Sequence, residues 1–259
     1  MMSDMSPGDG LHRWETMTSR EIGDLIGRGM TMAVLPVGAT EQHGPHLGTG
    51  TDTLSAVLIA REAAARAGVF LLPAIPYGCS HGHTTKWPGT ISLGSITLTQ
   101  VIVEVGRWVL GSGIDKLLFF SGHSTNAPSL SSAILQLRHE FPKARFRQLA
   151  IWDISPRAQA LYARDGADIH ANRGETSVLL HYAPEMVRMD HAFDVEDVTP
   201  GLVWNYDMPS TTPTGVVGRP TEATAADGAM MAAILTEDLT ALLRRGLAEP
   251  WPEVPPGPV

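Results

Sequence analysis

The stretch from Met32 to Asp52 limits the fold more than any other. Met32, Ala33, Val34, Leu35 and Val37 form a short apolar run, the pattern of a strand buried on both faces. The chain then breaks into glycine, proline and threonine, and residues 53–67 read as a helix. A polar loop leaving the carboxyl end of a strand is where open α/β sheets place their ligands. This loop carries Glu41, His43 and Asp52. Residues two apart in extended backbone point to the same side, so Glu41 and His43 can reach one point or two adjacent points. Asp52 returns in the first turn of the following helix. Two carboxylates and an imidazole suit zinc, manganese or iron. The plain alternative is a polar loop with Asp52 capping the helix.

The same pattern recurs. Residues 69–75, 116–120 and 146–152 read as further strands, and 18–27, 97–110, 126–140, 175–182 and 222–245 as helices, the first capped by Ser19. Alternating strands and helices predict an α/β chain with a mainly parallel sheet flanked by helices. The expected division is a disordered N-terminus (1–13), one domain (14–248) and a proline-rich tail (249–259). With 43% of its 259 residues apolar, the chain has material for a sizeable core. Lys and Arg number 19 against 27 Asp and Glu, and the net charge of −8 argues against nucleic-acid or anionic-membrane partners. No apolar run approaches a bilayer span. A single cysteine, Cys79, and a polar N-terminus fit a reducing cytoplasm.

Two more loop positions carry metal-type ligands. His123 follows the strand at 116–120, and Glu175 opens a helix. With Glu41, His43 and Asp52 they form a natural two-metal set, in which one carboxylate bridges. Taken singly, each has a bland reading: Glu41 as a surface acid, His123 as a satisfied polar residue, Glu175 as an acid favoured by the helix dipole. The loop at 76–89 is long and rich in His, Gly and Thr, which is unusual without a function. Cys79 as a nucleophile with His81 as its base is a competing idea.

Glu41-Gln-His-Gly-Pro-His-Leu with Asp52, Trp87-Pro-Gly-Thr-Ile-Ser-Leu, Gly122-His123 with Asn126, and His170 five residues before Glu175 together resemble the creatininase (creatinine amidohydrolase) family. Thr214-Gly-Val-Val-Gly-Arg-Pro-Thr-Glu-Ala-Thr resembles its C-terminal block. The resemblance implies a three-layer α/β fold, two divalent metal ions per chain and a homohexamer. It implies that Glu41, Asp52 and His123 hold one metal, and that His43 and the bridging Asp52 hold the other. Creatininase itself supplies a glutamate to the second metal where this chain has Thr125, and Glu175 is the substitute expected here. His170 matches the family's proton-transfer histidine.

Substrate contacts are expected from His81, His83 and Lys86 in the middle loop, from Ser124, and from Trp152. The family's lid tryptophan is replaced by Gly166, which removes a flat cover suited to a small planar ring and argues against creatinine. The implied activity is metal-dependent hydrolysis of a C–N bond in a small molecule: an amide, cyclic amide or formamide. Two alternatives are a peptidase that trims a precursor peptide during cofactor maturation, and a non-catalytic metal- or ligand-binding protein on this fold.

Overall fold

The computed structural model describes residues 10–83, 86–166 and 170–253. In chain order the elements are β1 (His12–Arg13), α1 (Ser19–Gly27), β2 (Met32–Val37), α2 (Thr51–Ala67), β3 (Phe70–Leu71), α3 (Ser95–Gly111), β4 (Lys116–Ser121), α4 (Ala127–Glu140), β5 (Arg145–Ala150), α5 (Pro156–Tyr162), α6 (Arg173–Tyr182), α7 (Met208–Thr211) and α8 (Ala225–Ala248). The strands form one parallel sheet in the order β1-β3-β2-β4-β5.

The strand alternation builds three layers. Met32 and Val34 of β2, with Leu118 and Phe120 of β4, face α2, α5, α6 and α8. Ala33, Leu35 and Val37, with Leu117 and Phe119, face α1, α3 and α4. The central strands β2 and β4 are covered on both sides, which is why they read as continuous apolar runs.

Four local expectations change. Thr18, not Ser19, caps α1; it forms a reciprocal capping box with Glu21. The disorder expected through residue 13 stops short, because His12–Arg13 pairs in parallel with β3. Residues 1–9 and 254–259 lie outside the described residues. The third element, expected over 69–75, pairs continuously only at Phe70–Leu71 and rejoins β2 at Ile75. Pro73 has no N–H to donate, and neither does Pro36 on the facing strand, so the ladder lapses there. At the other end of the chain, Arg145 donates to the Glu249 carbonyl and lies 5.3 Å from the Trp251 ring, so the start of the tail is held against β5.

β2 lies between β3 and β4, and its exit beside that of β4 forms a crevice at the carboxyl edge. Two glycines bring the first turn of α2 into this crevice. A Cβ on Gly38 would stand 2.3 Å from Thr53 Cα, and one on Gly122 would stand 2.1 Å from the Asp52 carbonyl oxygen. Only glycine permits both strand exits to press so closely on the turn that carries Asp52.

Candidate metal centre

Glu41 and His43 leave β2, Asp52 opens α2, His123 follows β4, and Glu175 opens α6. The structure brings all five to one buried cluster, each less than a tenth exposed. Asp52 stands in the middle: its Oδ1 is 3.0 Å from His43 Nε2 and its Oδ2 is 3.3 Å from His123 Nδ1. On one side His123 Nε2 lies 3.3 Å from Glu41 Oε2. On the other, His43 Nε2 lies 3.9 Å from Glu175 Oε1. Two triads of donor atoms result, Glu41/Asp52/His123 and His43/Asp52/Glu175, each mutually within 4.8 Å. They share Asp52. A third overlapping group is Glu41/His43/His170.

Both Glu41 oxygens, His43 Nε2 and Asp52 Oδ2 are fully buried and have no hydrogen-bond partner among the described residues. Buried polar atoms are nearly always satisfied, and each orphan costs about 1–3 kcal/mol. Four of them converging in one place, close together yet misaligned for hydrogen bonds, fit a shared divalent cation. The electrostatics agree. Burial, and then the Asp52 charge, push the Glu41 carboxyl up to about 7. Burial opposes charge on His43, but Asp52 and Glu175 outweigh it and hold its pKa well above the ordinary value. Both shifts mark a pocket whose carboxylates call for positive charge.

Local structure fixes each donor. Asn172 caps α6 by accepting from the Glu175 amide, while Glu175 Oε2 accepts from the Ala171 amide at 2.6 Å, leaving Oε1 toward His43. Ala171 takes a left-handed φ of 50° to make this possible, at about 1–3 kcal/mol of strain. Asn126 does not cap α4 with its side chain. Its amide donates to the Gly38 carbonyl and accepts from the Cys79 amide, tying three loops together. Thr125 sits 2.6 Å from His123 Nε2 and also donates to the Cys79 carbonyl. It therefore braces a histidine where creatininase was expected to supply a carboxylate.

A cleft of about 150 Å³ opens over the cluster. Of the expected contact residues, His83, Ser124 and Trp152 line it, as does His170, the expected proton-transfer residue. His81 and Lys86 do not; the Lys86 ammonium lies 5.0 Å from the Trp87 ring and reaches the Thr212 carbonyl. Cys79 packs against the apolar layer of α1, α3 and α4, away from the cleft, which removes the nucleophile idea. Gly166 is described, but residues 167–169 after it are outside the described residues. His170 Nδ1 lies 3.6 Å from Glu41 Oε1, and its Nε2 lies 2.9 Å from the Gln42 carbonyl. Burial, helped by His43 and His83, holds its pKa well below the ordinary value and favours the neutral ring.

The far wall is made by Tyr206, Asp207, Met208 and Thr211, which sequence reasoning missed. Tyr206 and Asp207 precede α7, and Met208 and Thr211 lie in it, a single turn too short to show a hydrophobic period; the signal in the sequence was the cluster of large apolar residues at 202–206. Gln42, between two candidate ligands, was quoted only as part of a motif.

The creatininase family model, described as creatinine amidohydrolase, matches residues 15–243. Over 226 residues the chain is 35% identical to a mycofactocin precursor peptide peptidase of Mycobacterium ulcerans, covering 82% of this chain and 84% of the relative. It is 27% identical to the creatinine amidohydrolase of Pseudomonas putida, covering 88% and 94%. A solved structure entitled "Creatininase Mn" superposes with a TM-score of 0.82 at 25% identity, covering 92% of this chain and 100% of the other. Fold, donor cluster and sequence coverage agree, and this chain belongs to the creatininase family.

Proposed function

We propose that this hydrolase holds two divalent cations and cleaves a C–N bond of a small molecule: an amide, cyclic amide or formamide. Glu41, Asp52 and His123 would hold one cation, and His43, Asp52 and Glu175 the other, with zinc, manganese or iron suiting these donors. The observation that carries this reading is the set of four orphaned buried donor atoms arranged on both sides of Asp52. Cations in these positions would make water reactive near neutral pH and stabilise negative charge on a carbonyl oxygen.

The protein's own groups supply the rest. His170 presents Nδ1 to the cluster and Nε2 to the Gln42 carbonyl. As a neutral imidazole it accepts a proton at Nδ1, and the Gln42 carbonyl then holds the Nε2–H of the imidazolium. The same Nδ1 proton passes to the leaving nitrogen. Trp152 and Met208 give the cleft apolar walls, and its small volume favours a small substrate or the end of a larger one.

Cleavage of a peptide is the second reading. It is supported by the 35% identity to a precursor peptide peptidase and by Leu202, Val203 and Trp204, which stand exposed in the chain leading to Tyr206 of the cleft wall. No helix among the described residues is long and apolar enough to cross a membrane. We place the enzyme in the cytoplasm as a homo-oligomer, a hexamer by family resemblance.

The test is elemental analysis of the purified protein beside a substrate panel: creatinine, a lactam, an N-formyl compound and a short peptide. Chelation should abolish turnover and one metal should restore it, with about two equivalents bound. Protein that holds no divalent ion, or turnover indifferent to chelation, would sink the reading. The panel separates small-molecule from peptide cleavage.

A further inference from the structure

Gln42 sits between two histidines of the cleft, and it constrains them differently. Its side-chain Oε1 accepts from the Gly44 amide at 3.0 Å. A backbone N–H can only donate, so the oxygen end of the amide is fixed and the other end is the NH2 group. That NH2 lies 3.1 Å from His83 Nδ1 and 3.0 Å from His170 Nε2.

For His170 the result is freedom. Its Nε2 has a donor in the Gln42 amide and an acceptor in the Gln42 carbonyl, so either tautomer finds a partner. A group that takes and returns a proton needs this. For His83 the result is a lock. Its Nδ1 meets the Gln42 NH2 at hydrogen-bond distance, while the Glu41 Oε1 acceptor stands farther off at 3.7 Å, so Nδ1 carries the lone pair and the neutral ring carries its hydrogen on Nε2.

His83 lines the cleft. Among the described residues its Nε2 has no hydrogen-bond partner. The ring centroid lies 4.5 Å from that of His170 and 5.9 Å from that of His123. A fixed, neutral N–H donor beside the donor cluster is what a developing oxyanion requires.

We infer that His83 is a catalytic residue that donates its Nε2–H to the substrate's carbonyl oxygen as negative charge develops there, and that Gln42 is the positioning residue that sets its tautomer. The inference rests on the hydrolase reading above.

Two measurements on the zinc-loaded full-length protein test this. The first reads the tautomer by magic-angle-spinning NMR of isotope-labelled histidine. His83 should carry its proton on Nε2 in the wild type, and on Nδ1 in Gln42→Glu, where the new carboxylate accepts instead of donating. The second titrates methylphosphonate, a tetrahedral oxyanion, into the protein by calorimetry. His83→Phe should weaken binding about 10- to 100-fold, the scale of a lost hydrogen bond to a charged group. His83→Gln should recover most of it, because its NH2 reaches the place of Nε2. Zinc content should be equal in all variants.

A proton on Nδ1 in the wild type, unchanged methylphosphonate binding in His83→Phe, or no binding to the zinc-loaded wild type would each overturn the inference. So would zinc loss in step with binding loss, which would make His83 a support of the metal centre. If the wild type takes up no zinc at all, the hydrolase reading fails by that measurement, and the tautomer alone decides the role of Gln42.

Discussion

The floor and the mouth of the cleft are built by opposite means. The floor comes from strand exits and helix starts. Its donors are buried, and its backbone is pinned by Gly38, Gly122 and the Asn126 amide. The mouth comes from Tyr206, Asp207 and α7, after an irregular stretch in which Leu202, Val203 and Trp204 stand exposed. The floor can hold atoms to the fraction of an ångström that chemistry needs, while the mouth can vary without disturbing it. On the proposed function, reaction type would be set in the floor and substrate identity in the mouth.

Removing a floor donor should have the largest effect. Asp52→Ala deletes the carboxylate shared by both triads, so metal content should fall towards zero and turnover by about 10³-fold or more, on the scale of a lost principal electrostatic group. Metal analysis beside kinetics reads both, and retained metal would break the comparison at its root. Gly122→Ala forces a methyl group onto the Asp52 carbonyl and should cost about 3 kcal/mol of stability, as overpacking does, seen as a lower urea midpoint.

Asn126→Ala should cost about 2 kcal/mol by leaving the Gly38 carbonyl and the Cys79 amide unpaired, on the same measurement. Acid should also reach the floor first. Burial holds His46 down to about 4, below its unfolded value, so its stability contribution is present above about 6.5 and is lost as pH falls towards 4. His46→Gln should flatten that part of a stability–pH curve.

In the chain leading to the mouth, Trp204→Ser should change stability by less than about 0.5 kcal/mol and leave metal content intact. It should alter KM on a peptide more than on a small cyclic amide. An equal effect on both would remove the distinction between reaction floor and substrate mouth.

The sheet and the floor were legible in the sequence for the same reason. Buried parallel strands need unbroken apolar runs, and ligands at their carboxyl ends must follow those runs at once, so Glu41, His43 and His123 could be placed without knowing the long-range contacts. Glu175 was harder, since an acid in the first turn of a helix has a local explanation; only the approach of α6 to β2 brings it to His43. The short β3 was misjudged because Val69-Phe-Leu-Leu reads as a strand, while the effect of Pro73 depends on which neighbour it faces. Tyr206, Asp207 and Met208 were invisible, because a wall built from irregular chain and a single helical turn has no period to detect.

The bond from the Ala171 amide to Glu175 bears on which ion is admitted. With one carboxylate oxygen already engaged, Glu175 has a single oxygen to offer. Calcium, which wants six to eight oxygens and often takes both from one carboxylate, would be poorly served by triads that each include an imidazole. A small transition ion content with three or four donors is well served. The turn at Ala171, next to His170, thus leaves Glu175 one free oxygen, and this would disfavour an ion that takes both.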